Sequence, residues 1–133
     1  PEQRIWLEKQ LNTHLTWLIV FFHTPIYSSH SETDYEIQMR HTLVPLFEIF
    51  HIDLVLSGHR HNYERLSANG ITYLVVGGGG APLYGFDVPE IASQKAVSAY
   101  HFAFFKVNND HLSAKVVGVD GATIDEFTLT TRK

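Results

Sequence analysis

Residues 53–65 read DLVLSGHRHNYER, a short apolar run that passes through a glycine into a segment with two histidines. A continuous apolar run of this length, rich in β-branched residues or leucine, predicts a strand buried on both faces. Two similar runs occupy residues 16–22 and 71–76, and they end at His23 and at the four glycines Gly77–Gly80. Buried strands of this kind favour an α/β fold in which helices cover a sheet.

The segments around these runs predict the other elements. Helical spacing indicates helices over 1–13 and 35–51, and Pro45 predicts a kink or two short helices in the second. Residues 58–70 are expected to form a loop and 81–98 to be irregular. Turn signals at 108–110 and 120–121 predict an antiparallel meander. Its strands are expected at 100–107, 112–119 and 123–130. The sequence therefore predicts an α/β domain with a mixed sheet that ends in a meander.

The composition excludes several classes of protein. The chain has 133 residues, of which 44% are hydrophobic, and this content is too high for a disordered protein. The net charge is 10 − 14 = −4 with no basic run, which argues against a nucleic-acid patch. The longest apolar run, Trp17–Phe22, is far shorter than the roughly 20 residues of a membrane span. Nine histidines and no cysteine mean that a transition-metal site here would use imidazole and carboxylate ligands.

Three histidines follow the ends of the predicted strands. In an extended segment His59 and His61 would project to the same side, because side chains alternate along a strand. His23 follows the neighbouring strand, and a helical crossover would place it at the same edge of the sheet. We therefore expect these three imidazoles to converge on a metal ion. The alternatives are a solvent-exposed loop for His59 and His61, and for His23 an unrelated residue at the sheet edge.

The motifs around these histidines resemble one enzyme superfamily. Residues 23–29 (HTPIYSS), 55–65 (VLSGHRHNYER) and 77–81 (GGGGA) are similar to the C-terminal half of calcineurin-like metallophosphoesterases, in the purple acid phosphatase-like branch. Gln10-Leu11, Trp17 and the closing DGATID segment also fit this family. The resemblance implies that residues 1–133 form the C-terminal half of a four-layer αββα sandwich, whose N-terminal metal-binding half is absent.

The same resemblance implies a function. In the intact protein, two divalent or trivalent metal ions (Fe, Zn or Mn) would hydrolyse phosphate esters. His23 and His59 would bind one ion and His61 the other. His30, in the polar loop after His23, is a candidate general acid, with a plain surface histidine as the alternative. The resemblance also favours a secreted or periplasmic location.

Several motifs of the family do not occur in these 133 residues: Asp-x-His, the Gly-Asp segment with the bridging aspartate, and Gly-Asn-His. Asp53 is expected roughly 20 Å from His59 along the strand, whereas Glu32 and Asp34 could approach His23. We therefore expect this chain to be inactive alone and to need the missing half, or a second copy, to cover its apolar surface. A mononuclear three-histidine metal site and a non-catalytic interaction domain are the alternatives.

The remaining motifs are interpreted as structural. All four residues that follow His61 (Asn62, Tyr63, Glu64 and Arg65) are expected to be structural, and Glu64 and Arg65 could orient the histidine loop. The glycines Gly77–Gly80 lack the Gly-Lys-Ser/Thr of a phosphate-binding loop, so close backbone packing is the preferred interpretation. The other histidines are expected to lie at the surface or in packing contacts; they are His14, His41, His51, His101 and His111.

Overall fold

The computed structural model describes residues 2–131, and within this range the chain forms two helices and eight strands. Both predicted helices are present, but the first ends at Leu11 rather than Thr13 and the second at Ile49 rather than His51. The elements are α1 (Glu2–Leu11), β1 (Ile19–Phe21), α2 (Asp34–Ile49), β2 (Leu54–Ser57), β3 (Tyr63–Ala68), β4 (Ile71–Val76), β5 (Ser93–Val97), β6 (His101–Val107), β7 (His111–Gly118) and β8 (Thr123–Thr130). None of the described helices is long and apolar enough to cross a membrane.

The first sheet has five strands in the order β1-β2-β4-β3-β5. Strands β1, β2 and β4 are parallel, and Ile19 lies beside Leu54 in the register of the first pair. Strands β3 and β5 join antiparallel, so the sheet is mixed as predicted. Helix α2 forms the crossover from β1 to β2, and this brings the C-terminal ends of both strands to the same edge.

The second sheet is the predicted meander, β6-β7-β8. Two apolar cores hold the layers together. One core lies between the helices and the first sheet and contains the fully buried Phe47 and Ile52. The other core joins the two sheets through Leu54, Leu74 and Leu112, which are also fully buried. The described residues thus form a helical layer and two sheet layers, which confirms the predicted α/β class.

Two segments predicted as loop or irregular structure contain strands. Strand β3 occupies residues 63–68 of the predicted loop, and β5 occupies residues 93–97 of the predicted irregular segment. The signal for the first was present in the sequence, because Asn69-Gly70 is a two-residue hairpin turn. Both residues have positive φ, 51° at Asn69 and 77° at Gly70, which matches that turn and joins β3 to β4.

The prediction for residues 16–22 was wrong in part. Only Ile19–Phe21 form the strand, and Phe21 is 80% exposed although the pattern predicted burial on both faces. The reason is position, since β1 is an edge strand with one hydrogen-bonded neighbour among the described residues. An apolar groove of about 850 Å³ runs beside it, lined by residues of α1, β1 and α2 such as Trp6, Met39 and Phe47.

Helix α2 also differs from its prediction. It runs from Asp34 to Ile49 without interruption, although Pro45 lies inside it. A capping box fixes its start, because the Thr33 side chain accepts a hydrogen bond from the Glu36 backbone and Glu36 reaches back to the Thr33 N–H. Capping of this kind offsets part of the cost of the backbone hydrogen bond that the proline removes.

Candidate metal centre

His23 and His59 meet just beyond the ends of the parallel strands β1 and β2. The Gly58 N–H donates to the His23 carbonyl over 3.0 Å and extends the pairing of the strands past their last residues. The Nδ1 atom of His59 lies 3.2 Å from Nε2 of His23, and the two rings are edge to face. The structure therefore brings together the two histidines that the sequence placed at one edge of the sheet.

The separation of these nitrogens fits a shared metal ion. Two nitrogens bound at about 2.0–2.1 Å to a tetrahedral zinc ion lie about 3.3 Å apart, close to the observed 3.2 Å. Burial lowers the pKa of His59, and the charges of Arg60 and His23 lower it further. A lowered pKa keeps the ring neutral, which is the form that binds metals.

His61 is not directed into this pair. Among residues 2–131, no group of three His, Cys, Asp or Glu side chains could hold a metal ion. The expectation that His59 and His61 share one side assumed an extended backbone, but His59 has φ 62°. The backbone also turns twice in this segment: the Arg60 N–H donates a hydrogen bond to the Gly58 carbonyl, and the Asn62 N–H donates one to the Arg60 carbonyl. The strict alternation of a strand is therefore lost at this point.

The His61 ring contacts a segment that sequence reasoning did not single out. Its Nδ1 atom is 2.8 Å from the carbonyl oxygen of Pro82, and its face stacks on the ring of Tyr84 with 4.1 Å between centroids. The Tyr84 N–H also donates to the His61 carbonyl over 2.9 Å. The predicted irregular segment 81–98 therefore contributes directly to the surroundings of one candidate ligand.

His30 is buried between two loops. Its Nδ1 atom lies 3.1 Å from a carboxylate oxygen of Asp87, and its Nε2 atom lies 2.9 Å from the side-chain amide of Asn62. Burial and the charge of Arg60 lower the pKa of His30, and Asp87 opposes them only in part. Both ring nitrogens are thus engaged within the chain, which excludes the plain surface histidine considered from the sequence.

Arg60, between the two histidines of the motif, points to the start of α2. Its guanidinium donates to the Glu36 carboxylate over 2.7 Å and to the Ser31 carbonyl over 3.3 Å. Burial raises the pKa of Glu36, but hydrogen bonds from Thr33 and the charge of Arg60 outweigh it, so the pKa is lowered overall. This ion pair fixes the histidine loop to α2, and nothing in the sequence spacing could have indicated it.

The two neighbouring charges in the motif have different roles. Glu64 is fully buried on β3 and accepts hydrogen bonds from the Ser29 N–H over 2.8 Å and the Ser29 hydroxyl over 2.5 Å. It therefore holds the loop that follows His23, as a group that orients the site would. Arg65 instead pairs with Asp125 of β8, so it joins the two sheets rather than the loop.

Close packing, expected for all four glycines after β4, holds for Gly77 and Gly78, whereas a Cβ atom on Gly79 or Gly80 would meet nothing within 4 Å. A Cβ atom on Gly77 would lie 1.9 Å from the Arg60 carbonyl oxygen, and one on Gly78 would lie 2.3 Å from the ring of His101. These clashes involve backbone and a buried ring, so only glycine fits at either position. Gly77 thus packs against the histidine loop, and Gly78 packs against the start of β6.

The carboxylates considered from the sequence lie elsewhere. Asp53 accepts a hydrogen bond from the Leu18 N–H over 2.8 Å at the start of β2, the end of the strand opposite His59. Glu32 forms an ion pair with Arg40, and Asp34 lies in the first turn of α2. Among residues 2–131, the candidate centre therefore has imidazole ligands but no bridging carboxylate.

Comparison with known proteins adds independent information. The family model of the calcineurin-like phosphoesterases matches residues 1–63. A purple acid phosphatase of Glycine max is 38% identical over 84 residues, which cover 59% of this chain and 18% of that protein. Purple acid phosphatase 18 of Arabidopsis thaliana is 30% identical over 128 residues, which cover 83% of this chain and 29% of that protein. The chain thus spans less than a third of these curated relatives.

Solved structures agree with the sequence matches. The purple acid phosphatase PPD1 from yellow lupin superposes with a TM-score of 0.82 at 25% identity, covering 98% of this chain and 28% of that one. The Plasmodium protein GAP50, described as the anchor in the inner membrane complex, gives a TM-score of 0.89, also at 25% identity. That match covers 99% of this chain and 43% of GAP50. Both structures contain this fold as part of a longer chain.

Proposed function

Because this chain belongs to the purple acid phosphatase-like branch of the calcineurin-like phosphoesterases, we propose that it is the C-terminal portion of a metal-dependent phosphate-ester hydrolase. The observation that carries this proposal is the close approach of His23 and His59 at the ends of two parallel strands. Open α/β sheets place their active sites at such an edge.

The three histidines divide between two metal ions in this proposal. His23 and His59 bind one ion, in keeping with the 3.2 Å between their facing nitrogens, and His61 binds the other. When bound, the two ions supply charge stabilisation to the phosphoryl group and a more acidic water. The other ligands, including a bridging carboxylate, come from an N-terminal half. One relative is named an Fe(3+)-Zn(2+) purple acid phosphatase, which favours iron and zinc among Fe, Zn and Mn.

His30 is proposed as the general acid for the leaving group. Asp87 accepts from its Nδ1 atom and orients the ring, so Nε2 is the atom that would donate a proton. In the free protein the Asn62 side-chain amide faces Nε2 and donates to it, so this contact must open and Nε2 must take up a proton before it can protonate the leaving group. Catalytic hydrogen bonds often become correctly aligned only in the substrate complex.

A non-catalytic domain is the second candidate function. One observation favours it: the structural similarity to GAP50, which is described as an anchor. A mononuclear site of three histidines is not supported, because His61 is held apart from the pair by Pro82 and Tyr84.

Metal analysis and hydrolysis of p-nitrophenyl phosphate test the proposal. In the longer protein we expect activity that His59→Ala and His61→Ala abolish and that His41→Ala, an exposed residue of α2, leaves unchanged. We expect the 133-residue chain alone to show little or no turnover and weak metal uptake. Retained activity in both site variants would contradict the proposal, and full-length protein without metal or turnover would favour the non-catalytic domain.

A further inference from the structure

We propose that residues 82–87 form a clasp that positions His61 for metal binding, with Tyr84 as its positioning residue. This inference rests on the proposed function only in taking His61 as a metal ligand. The clasp touches one residue in three ways: through a carbonyl oxygen, through an aromatic ring and through a backbone N–H. Each contact constrains a different degree of freedom of His61.

The carbonyl contact selects the tautomer of His61. A carbonyl oxygen can only accept a hydrogen bond, so the Nδ1 atom that lies 2.8 Å from the Pro82 oxygen carries the proton. In the neutral ring this leaves Nε2 without a proton and with a free lone pair. A ligating histidine usually donates its other N–H to a carbonyl or carboxylate in this way, which fixes both the tautomer and the ring orientation.

The aromatic contact fixes the plane of the ring. Tyr84 lies nearly parallel to His61, with 23° between the planes and 4.1 Å between centroids, so rotation of the imidazole about its Cβ–Cγ bond would break the stack. The Tyr84 N–H donates to the His61 carbonyl over 2.9 Å and couples the two backbones. Tyr84 alone therefore fixes both the ring plane of His61 and the position of its backbone.

The clasp is anchored at Tyr84 and at Asp87. The carbonyl of Tyr84 accepts a hydrogen bond from the Ser98 hydroxyl over 2.7 Å. Asp87 accepts bonds from the Ser31 N–H over 3.1 Å and the Ser31 hydroxyl over 2.8 Å, and it pairs with His30. The aromatic residues of the clasp are partly exposed, Tyr84 to 40% and Phe86 to 38%. Polar anchors rather than burial thus hold this segment in place.

Nuclear magnetic resonance of the metal-free 133-residue chain tests the inference without any catalysis. At about pH 8 an ordinary imidazole is neutral, so long-range ¹H–¹⁵N spectra report the tautomer. We expect His61 to be protonated at Nδ1, with ring protons shifted upfield by the Tyr84 ring. Tyr84→Phe keeps the stack and should preserve both signals. Tyr84→Leu should lose the upfield shift and populate the other tautomer.

Phe86→Leu provides the matched control, since Phe86 belongs to the same clasp but contacts His30 and not His61. It should leave the His61 signals unchanged. Unchanged His61 signals in Tyr84→Leu, in a chain whose other resonances show that it is folded, would overturn the inference.

Zinc affinity of the longer protein gives the second measurement. Loss of a group that orients a metal ligand typically costs 10–100-fold in affinity, and we expect Tyr84→Leu to lose about that much while Tyr84→Phe loses less than about threefold. An unchanged affinity in Tyr84→Leu would overturn the clasp as a metal-positioning device. If wild-type protein binds zinc but never hydrolyses phosphate esters, the proposed function fails while the clasp stands.

Discussion

Asp125 joins the two sheets, and its removal should destabilise the protein more than removal of the adjacent Glu126. Its carboxylate accepts a hydrogen bond from the Tyr63 hydroxyl over 2.7 Å and forms an ion pair with Arg65, also at 2.7 Å. Tyr63 is fully buried, and the Asp125 side chain is only 9% exposed. In Asp125→Ala both donors on β3 lose their acceptor in the interior between the sheets.

The magnitude follows from these contacts. An unsatisfied buried hydroxyl costs about 1–3 kcal/mol, and breaking a well-buried ion pair costs roughly 3–5 kcal/mol. The Arg65 side chain is 26% exposed and lies over the Phe127 ring. Breaking its ion pair with Asp125 should therefore cost less than that range. We therefore expect Asp125→Ala to lower the free energy of unfolding by about 3 kcal/mol. Asp125→Asn keeps an acceptor for Tyr63 and should lose about 1.5 kcal/mol.

Urea unfolding monitored by tryptophan fluorescence provides the assay. With an m-value of roughly 1.5 kcal/mol/M, a loss of about 3 kcal/mol moves the midpoint by about 2 M. Glu126→Ala is the matched control, because Glu126 is the next residue on β8 and its side chain is exposed. Its effect should stay within about 0.5 kcal/mol. If Asp125→Ala and Glu126→Ala shifted the midpoint equally, the assignment of Asp125 as the inter-sheet link would be refuted.

Acidic pH should weaken the same link. Burial raises the pKa of Asp125, but the hydrogen bonds from Arg65 and Tyr63 outweigh it and hold the pKa below its ordinary value. The stabilisation is therefore complete above about pH 4, the ordinary pKa of an aspartate, and is lost as pH falls through the lower folded-state pKa. Asp125→Asn should remove this part of the acid sensitivity, which unfolding curves between about pH 2 and pH 5 would measure.

Three further outcomes are expected. Glu64→Ala strips Ser29 of its acceptor and should cost about 3 kcal/mol in urea unfolding, whereas Ser67→Ala on the exposed face of β3 should cost less than about 0.5. Burial and Arg60 lower the pKa of His30, so stability should fall as pH drops below about 6.5, and His30→Gln should flatten that slope. Phe21→Lys, at an exposed edge position, should reduce self-association in sedimentation without lowering the unfolding midpoint.

Much of the fold could be predicted because buried strands and helices leave a local pattern. The apolar runs before His23 and Gly58 and the turn at Asp120-Gly121 predicted the parallel pair and the meander, and both were confirmed. Strand β3 was missed, although the Asn69-Gly70 turn signalled a hairpin. The exposure of β1 could not be predicted, because local sequence does not say which strand lies at an edge.

The candidate site was less predictable than the fold. The meeting of His23 and His59 follows from topology, since parallel neighbours end at one edge. The position of His61 depends on the positive φ of His59, a conformation that no residue type specifies except glycine. Tyr84 stacks on His61 although the two residues are more than 20 positions apart in the sequence. The β3–β4 hairpin lies between them, and the sequence analysis did not predict it.

The acidic residues around the candidate centre explain why the pair of histidines is not a complete site. Glu36 is paired with Arg60, Glu64 with Ser29, and Asp87 with Ser31 and His30, so each of these carboxylates already accepts strong hydrogen bonds from its own chain. Moving Glu64 onto a metal would leave the two buried donors of Ser29 without an acceptor, at about 1–3 kcal/mol for each. These carboxylates orient the loops that carry the imidazoles. The proposed two-ion centre would therefore take its bridging carboxylate from outside residues 2–131.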